Sequence, residues 1–225
     1  MNQKSNIKNQ RLIFFDTETT GLSPTNGDKI VEIGCVEMIN GIITGEHFHH
    51  YINPERHIPI EVVKIHGITN EKVKNSPKFH NIAQDFLNFI EGAILVAHNA
   101  NFDVKFLNHE LRLCNLPPLN HTIEDTLKIA RLKFPGSPAS LDALCKRFEV
   151  DLADRSFHGA LLDSKLLACV YRKMVLNDQS SIEFNQKDKN SNEIKRPIRP
   201  IRNIGIPTQE ELNLYENFAK KYSFI

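Results

Sequence analysis

One short segment, an apolar run that ends in two carboxylates, constrains the fold and chemistry of this chain more than any other. The run from Arg11 to Phe15 is typical of a buried strand, and Asp16 and Glu18 follow it directly. Residues i and i+2 of an extended chain point to the same side, so both acids converge on one spot at the end of the strand, which Thr20-Gly21 then breaks. Adjacent carboxylates repel each other unless a cation or a proton lies between them, and their oxygens suit Mg²⁺ or Mn²⁺. Taken alone, such a pair is more often an acidic turn than a metal site.

Two further acids and a histidine stand where predicted strands end and predicted helices begin. Asp103 follows the apolar run Ile94–Ala97 and falls in the first turn of the next helix, where helix capping is the simpler explanation. Asp163 falls one turn into the last long helix, beside its apolar stripe, which is an unfavourable place for an unpaired carboxylate. His158 precedes that helix on a loop, and a solvent-exposed loop histidine is the alternative to a functional role.

Brought together, these residues form a site suited to phosphodiester hydrolysis. Four clustered carboxylates require divalent cations to neutralise them. Two cations about 3.5–4 Å apart are the usual device for in-line attack on a phosphodiester, one activating a water and the other stabilising the leaving 3′-oxygen. A histidine that titrates near neutral pH is suited to accept the proton of that water.

The remaining pattern predicts an α/β fold with a mixed sheet flanked by helices. Three strands come first as a meander, Arg11–Phe15, Lys29–Ile39 and Ile42–Ile52, with Asn40-Gly41 as the hairpin turn. Helices and short strands then alternate over Glu61–His66, Phe79–Ile90, Ile94–Ala97, Phe102–Leu113, His121–Glu124, Asp125–Leu132, Leu141–Phe148 and Gly159–Met174.

Composition and charge exclude several classes of protein. The 225 residues are 40% apolar and 24% charged, which is ordinary for a soluble globular protein. A formal net charge of +1 excludes the overall basic surface of an autonomous nucleic-acid binder. Four scattered cysteines argue for reduced thiols in the cytoplasm, and no apolar run reaches membrane-spanning length. Residues 1–10 lack the apolar core of a signal peptide and predict a disordered leader.

Three ordered motifs resemble those of the DnaQ-like (DEDDh) 3′–5′ exonucleases. They are Asp16-Thr17-Glu18-Thr19-Thr20-Gly21, His98-Asn99-Ala100-Asn101-Phe102-Asp103 and His158-Gly159-Ala160-Leu161-Leu162-Asp163. The segments Val63-Lys64-Ile65-His66-Gly67-Ile68-Thr69 and Ser140-Leu141-Asp142-Ala143-Leu144-Cys145 are also similar, so the likeness covers about residues 10–175. It implies a ribonuclease H-like fold, with an exonuclease domain at residues 11–176. It also implies two Mg²⁺ or Mn²⁺ ions held by Asp16, Glu18, Asp103 and Asp163, with His158 as the general base.

Within that family the chain most resembles the epsilon proofreading subunits of bacterial DNA polymerase III. The resemblance implies removal of mispaired 3′-terminal nucleotides from DNA, with Asp16, Glu18, Glu61 and His66 contacting the terminal nucleotide. For His66, a histidine packed in a turn is the alternative. Three other histidines, His47, His49 and His50, alternate between the faces of a predicted strand, which argues against a zinc site there.

The tail of the chain implies protein partners. Residues 177–203 are polar and predict a flexible linker. Within the linker, Gln179, Ile182 and Phe184 resemble the anchors of a sliding-clamp-binding peptide. Residues 204–225 regain apolar side chains and occupy the place of the segment that binds the polymerase III alpha subunit, although they are too short to bury themselves alone. A small accessory subunit is a further partner compatible with the resemblance.

Two other functions are weighed against proofreading. An RNA-processing 3′–5′ exoribonuclease of the same superfamily uses the same chemistry, but the tail favours a role in DNA replication. A non-catalytic adaptor that joins clamp and polymerase is disfavoured, because all five catalytic positions hold competent residues.

Overall fold

The computed structural model describes residues 10–152 and 157–176, in which a five-stranded mixed sheet supports the helices. The strands are β1 (Arg11–Thr19), β2 (Ile30–Ile39), β3 (Ile42–Tyr51), β4 (Ile94–Ala97) and β5 (Ile123–Asp125). Their order across the sheet is β3-β2-β1-β4-β5. The predicted α/β architecture is confirmed. The predicted leader apart from Gln10, the linker with its clamp-like peptide Gln179 to Phe184, and the segment 204–225 lie outside the described residues.

The first three strands form the predicted meander. β1 pairs antiparallel with β2, and β2 pairs antiparallel with β3. At the hairpin between β2 and β3, Asn40 and Gly41 have φ angles of 54° and 79°, and positive φ at both central residues is what a type I′ turn requires. β1 is longer than the predicted Arg11–Phe15, because its pairing with β2 continues to Thr19 beyond the apolar run.

β4 and β5 extend the sheet in parallel on the other side of β1, and helices supply the crossovers that parallel neighbours need. The helices are α1 (Ile60–His66), α2 (Asn70–Val73), α3 (Phe79–Ile90), α4 (Ala100–Leu113), α5 (Thr126–Lys133), α6 (Leu141–Arg147) and α7 (Ala160–Tyr171). The short α2 was not predicted, since a single turn capped by Thr69 carries no apolar period. α7 ends before the predicted Met174 and passes into a π-helical turn. No helix in the described ranges is long and apolar enough to span a membrane.

Side chains alternate along β1 between the two faces of the sheet, and this alternation positions the acids. Phe15 belongs to the core that β1 forms with α3 and α4. Leu12 and Phe14 pack on the opposite face against α7. Asp16 and Glu18 continue the row of Leu12 and Phe14, so they lie on the face that α7 covers.

Candidate active site

The close approach of α7 to β2 determines where Asp163 lies. A Cβ added to Gly34 would come within 2.2 Å of the Leu161 backbone nitrogen, so only glycine permits this contact. The Ser164 hydroxyl lies 2.9 Å from the Gly34 carbonyl oxygen and adds a hydrogen bond. Because Gly34 is the cross-strand partner of Asp16, the first turn of α7, which carries Asp163, lies beside the acids of β1.

Asp103 reaches the same place from the other face, past the end of β4. The pairing of β4 with β1 stops at Phe14, so the Thr17 N–H lies beyond the last paired residue. That N–H and the Thr17 hydroxyl donate to Asp103 Oδ1 over 3.0 and 2.8 Å. Asp103, in the first turn of α4, is only 3% exposed. A buried acid of α4 is therefore tied to the residue that separates Asp16 from Glu18.

His158 and Asp163 meet Glu18 in one cluster. One possible ligand atom from each lies within 4.8 Å of the other two, which is the only such group of three found in the part of the chain that the structure describes. His158 Nδ1 lies 3.3 Å from Asp163 Oδ2, and about half of the His158 side chain is exposed. The His158 N–H donates to the Ile65 carbonyl oxygen of α1 over 3.2 Å. The predicted loop histidine is thus held at the site by α1.

The acids of the site raise the pKa of their neighbours. The pKa of Asp16 is raised well above its ordinary value, first by burial and then by the negative charges of Asp103, Glu18 and Asp163. Burial raises the pKa of Asp103 to about 7, against the opposing effect of the Thr17 hydrogen bonds. The shift of Asp16 thus includes repulsion from neighbouring carboxylates, which a divalent cation would relieve. The four carboxylates and the imidazole therefore fit divalent metal ions.

Two of the four residues expected to contact a terminal nucleotide, Glu61 and His66, lie on α1 and differ in exposure. Glu61 is exposed in the first turn. His66 is 5% exposed, its Nδ1 accepts the Ile68 N–H over 3.0 Å, and burial lowers its pKa. Its Nε2, on the side of the Thr19 backbone, has no hydrogen bond of good geometry within the described residues. His66 is packed as the alternative interpretation expected, yet its second ring nitrogen lies next to β1.

The sequence reasoning missed a further acid beside the site, the buried Glu32 of β2. It is 3% exposed, it is the cross-strand partner of Glu18, and its charge contributes to the raised pKa of Asp16. Its Oε1 lies 2.7 Å from His49 Nε2, and its Oε2 accepts the Ala160 N–H over 3.1 Å. The available signal was the presence of two acids, Glu32 and Glu37, inside a strand that is otherwise almost entirely apolar.

The three histidines of β3 do not converge among the residues described. His49 pairs with Glu32, and His47 Nδ1 lies 3.1 Å from a backbone carbonyl of its own strand. The ring of His50 packs on Phe48, with ring centroids 4.8 Å apart. Each histidine therefore has a separate environment.

Comparison with known proteins finds one family whose sequence pattern matches this chain across the whole candidate site. The sequence model of the Exonuclease (RNase_T) family matches residues 13–171, a range that contains all three motifs. The DNA polymerase III subunit epsilon of Rickettsia typhi is 49% identical over 223 residues, which cover 94% of this chain and 96% of the relative. That of Rickettsia prowazekii is 49% identical over 221 residues, with the same coverage of 94% and 96%. A solved structure of Exonuclease X in complex with 5′ overhanging duplex DNA has 30% identity and a TM-score of 0.58, and the match covers 76% of this chain and 93% of that one.

Proposed function

We infer that this chain is a proofreading 3′–5′ exonuclease, because it belongs to the Exonuclease (RNase_T) family and, within it, to the DNA polymerase III epsilon subunits. The mixed sheet has the ribonuclease H-like arrangement of the exonucleases that it resembles. The observation that carries the proposal is the meeting of α4 and α7 at β1, which brings Asp103 and Asp163 to the acids Asp16 and Glu18.

The substrate that we propose is the 3′ end of DNA during replication. A terminal nucleotide must leave its stack and pair to enter a pocket of this kind, at a cost of about 1.4 kcal/mol per base-pair step. A mismatch lowers that cost, so mispaired ends are removed faster than paired ends. The net charge of +1 suits a subunit that receives DNA from its polymerase.

We assign the four acids to the binding of two divalent metal ions, Mg²⁺ or Mn²⁺. The raised pKa of Asp16 supports the assignment, because after burial its causes are the charges of neighbouring carboxylates, which a cation would offset. When bound, such ions stabilise the charge on the attacking and leaving oxygens. The chain supplies the rigid frame: β1 holds Asp16 and Glu18, Thr17 fixes Asp103, and the first turn of α7 holds Asp163.

We assign His158 as the general base that accepts the proton of the attacking water at a ring nitrogen. Its half-exposed side chain gives it access to a substrate, and the Ile65 carbonyl anchors its backbone. The Asp163 carboxylate, 3.3 Å from Nδ1, stabilises the positive charge that forms on the ring when it takes the proton.

The proposed function also includes contacts that α1 makes with the substrate and contacts that the tail of the chain makes with protein partners. Glu61 and His66 contact the terminal nucleotide, a role supported by the junction between α1 and the His158 loop. The segment 204–225 binds the alpha subunit, the nucleotidyltransferase of DNA polymerase III. The peptide Gln179, Ile182 and Phe184 binds the sliding clamp, and a small accessory subunit completes the assembly in the cytoplasm.

The test is a nuclease assay with Mg²⁺ on DNA primers that carry a paired or a mispaired 3′ end. We expect release of 5′-mononucleotides, faster from the mispaired primer. Asp16→Ala abolishes cleavage, and His158→Ala lowers the rate about 10²–10⁴-fold. Asp85→Ala, which changes an exposed aspartate of α3, is the control and leaves the rate unchanged.

Three outcomes contradict the proposal. Full activity of the Asp16→Ala protein refutes the metal assignment. Faster cleavage of single-stranded RNA than of DNA with the matched sequence favours RNA processing. Binding of the polymerase by an intact protein that cleaves neither favours the adaptor.

A further inference from the structure

We propose that Glu32 is a positioning residue of the nuclease centre, which holds the first turn of α7 and thereby places Asp163 and His158 against β1. The proposal rests on the function proposed above. Glu32 is buried, and both of its carboxylate oxygens have partners on other elements, His49 on β3 and Ala160 on α7.

Glu32 supplies the cap that α7 lacks in its own sequence. The first four N–H groups of a helix have no partner within the helix, and the residue before α7 is Gly159, which has no side chain to offer. Glu32 Oε2 accepts the Ala160 N–H over 3.1 Å, although the two residues are 128 positions apart. A carboxylate at this end of a helix is also favoured by the helix dipole.

His49 holds the Glu32 carboxylate from the opposite side. Its Nε2 lies 2.7 Å from Glu32 Oε1, and the His49 side chain is 26% exposed while that of Glu32 is 4% exposed. An ionised carboxylate only accepts hydrogen bonds, so the imidazole donates to it. With one oxygen bound to β3 and the other to α7, the carboxylate has a fixed orientation.

The geometry of this turn matters because the positions of both Asp163 and His158 depend on it. The Asp163 N–H donates to the Gly159 carbonyl oxygen over 2.8 Å, so Asp163 follows any movement of the helix start. His158 immediately precedes Gly159. A displacement of about 1 Å in a catalytic constellation costs about 10²-fold in rate. Loss of a carboxylate that orients metal ligands without binding the metal itself typically lowers metal affinity or activity about 10–100-fold.

The test compares Glu32→Ala and Glu32→Gln in the full-length protein, with Glu37→Gln as the matched control. Glu37 lies on the same strand, is 7% exposed, and pairs with Arg11 over 2.6 Å and Thr44 over 2.8 Å instead of with α7. Three quantities are measured: kcat and KM on the mispaired primer, and the Mn²⁺ affinity from the electron paramagnetic resonance signal of the free ion.

We expect Glu32→Ala to lower kcat about 10²-fold and Mn²⁺ affinity about 10-fold, with KM for DNA little changed. In Glu32→Gln the amide oxygen accepts the Ala160 N–H, and the amide N–H₂ donates to His49 Nε2 when the imidazole carries its proton on Nδ1, so this variant retains most of kcat and of Mn²⁺ affinity. Glu37→Gln behaves as the unmodified protein. If Glu32→Ala does not fold, the test moves to its more exposed partner: His49→Ala lowers kcat and Mn²⁺ affinity in the same direction by a smaller factor.

Two results overturn the proposal. One is an unchanged kcat and an unchanged Mn²⁺ affinity in a folded Glu32→Ala protein. If Glu32→Ala does not fold, the same result in the His49→Ala protein overturns the proposal. The other is a Glu32→Gln protein as impaired as Glu32→Ala, which assigns the effect to charge rather than to position. Absence of nuclease activity in the unmodified protein refutes the proposed function instead, and the Mn²⁺ titration then still tests Glu32.

Discussion

Asparagine in place of Asp103 is expected to stabilise the metal-free protein while it removes nuclease activity. Asp103 is 3% exposed, and its pKa is about 7 in the folded chain against an ordinary 3.8, with burial as the main cause. The folded state therefore holds a proton that the unfolded state releases between these two pH values. Stability of the metal-free protein falls as the pH rises through this window, and the full cost persists above pH 7.

The size of the effect follows from the same two pKa values. Each unit of pKa is worth about 1.4 kcal/mol, so the rise from 3.8 to about 7 corresponds to at most about 4 kcal/mol of lost stability at pH 8. Asparagine carries no charge and keeps Oδ1, so it accepts both hydrogen bonds from Thr17 as aspartate does. Because neighbouring acids and water reduce the cost of burying the Asp103 charge, we expect Asp103→Asn to gain about 1–3 kcal/mol in free energy of unfolding at pH 8.

The assay is urea unfolding in the presence of EDTA at pH 5 and pH 8. The gain from Asp103→Asn is larger at pH 8, because at pH 5 the carboxyl of the unmodified protein is already protonated in the folded state. Addition of Mg²⁺ is then expected to stabilise the unmodified protein more than the variant, since the variant lacks one of the charged ligands proposed for the metal ions. An equal gain at both pH values, or no gain at pH 8, would show that the buried charge of Asp103 does not carry the cost ascribed to it.

Two further substitutions test the packing that supports the site. Gly34→Ala places a Cβ within 2.2 Å of the Leu161 backbone, so we expect a loss of at least about 3 kcal/mol in urea unfolding together with loss of nuclease activity, and near-native stability would contradict the close approach. Tyr171→Phe removes the hydroxyl that donates to Glu124 Oε2 over 2.6 Å, so we expect a loss of about 1–3 kcal/mol in the same assay with kcat unchanged, and a fall in kcat would show that α7 moves.

Short sequence patterns predicted the parts of the fold that depend on residues close together in the chain. The i, i+2 spacing of Asp16 and Glu18 placed both acids on one face, and the Asn40-Gly41 pair fixed the hairpin. The apolar period of Phe79–Ile90 predicted α3 to the residue. The resemblance added which distant acids belong together, since spacing alone does not bring α4 and α7 to one strand.

Features that depend on pairing between distant segments were not predictable in this way. β1 continues to Thr19 because β2 lies opposite, and nothing within the run itself announces that extension. Thr17 as the anchor of Asp103 requires knowledge of where β4 stops. Glu32 is one of two acids in its strand, and the role proposed for it depends on the packing that sets Ala160 and His49 beside it.

The acids of the site belong to three different layers of the molecule. Asp103 comes with α4 from one side of the sheet, Asp163 comes with α7 from the other, and Asp16 and Glu18 belong to the strand between them. Metal ions bound by all four acids would therefore cross-link both helices to the sheet and would resist sliding of either helix over it. A shift of α4 or α7 relative to the sheet would then reduce the rigidity of the fold and the cleavage activity together.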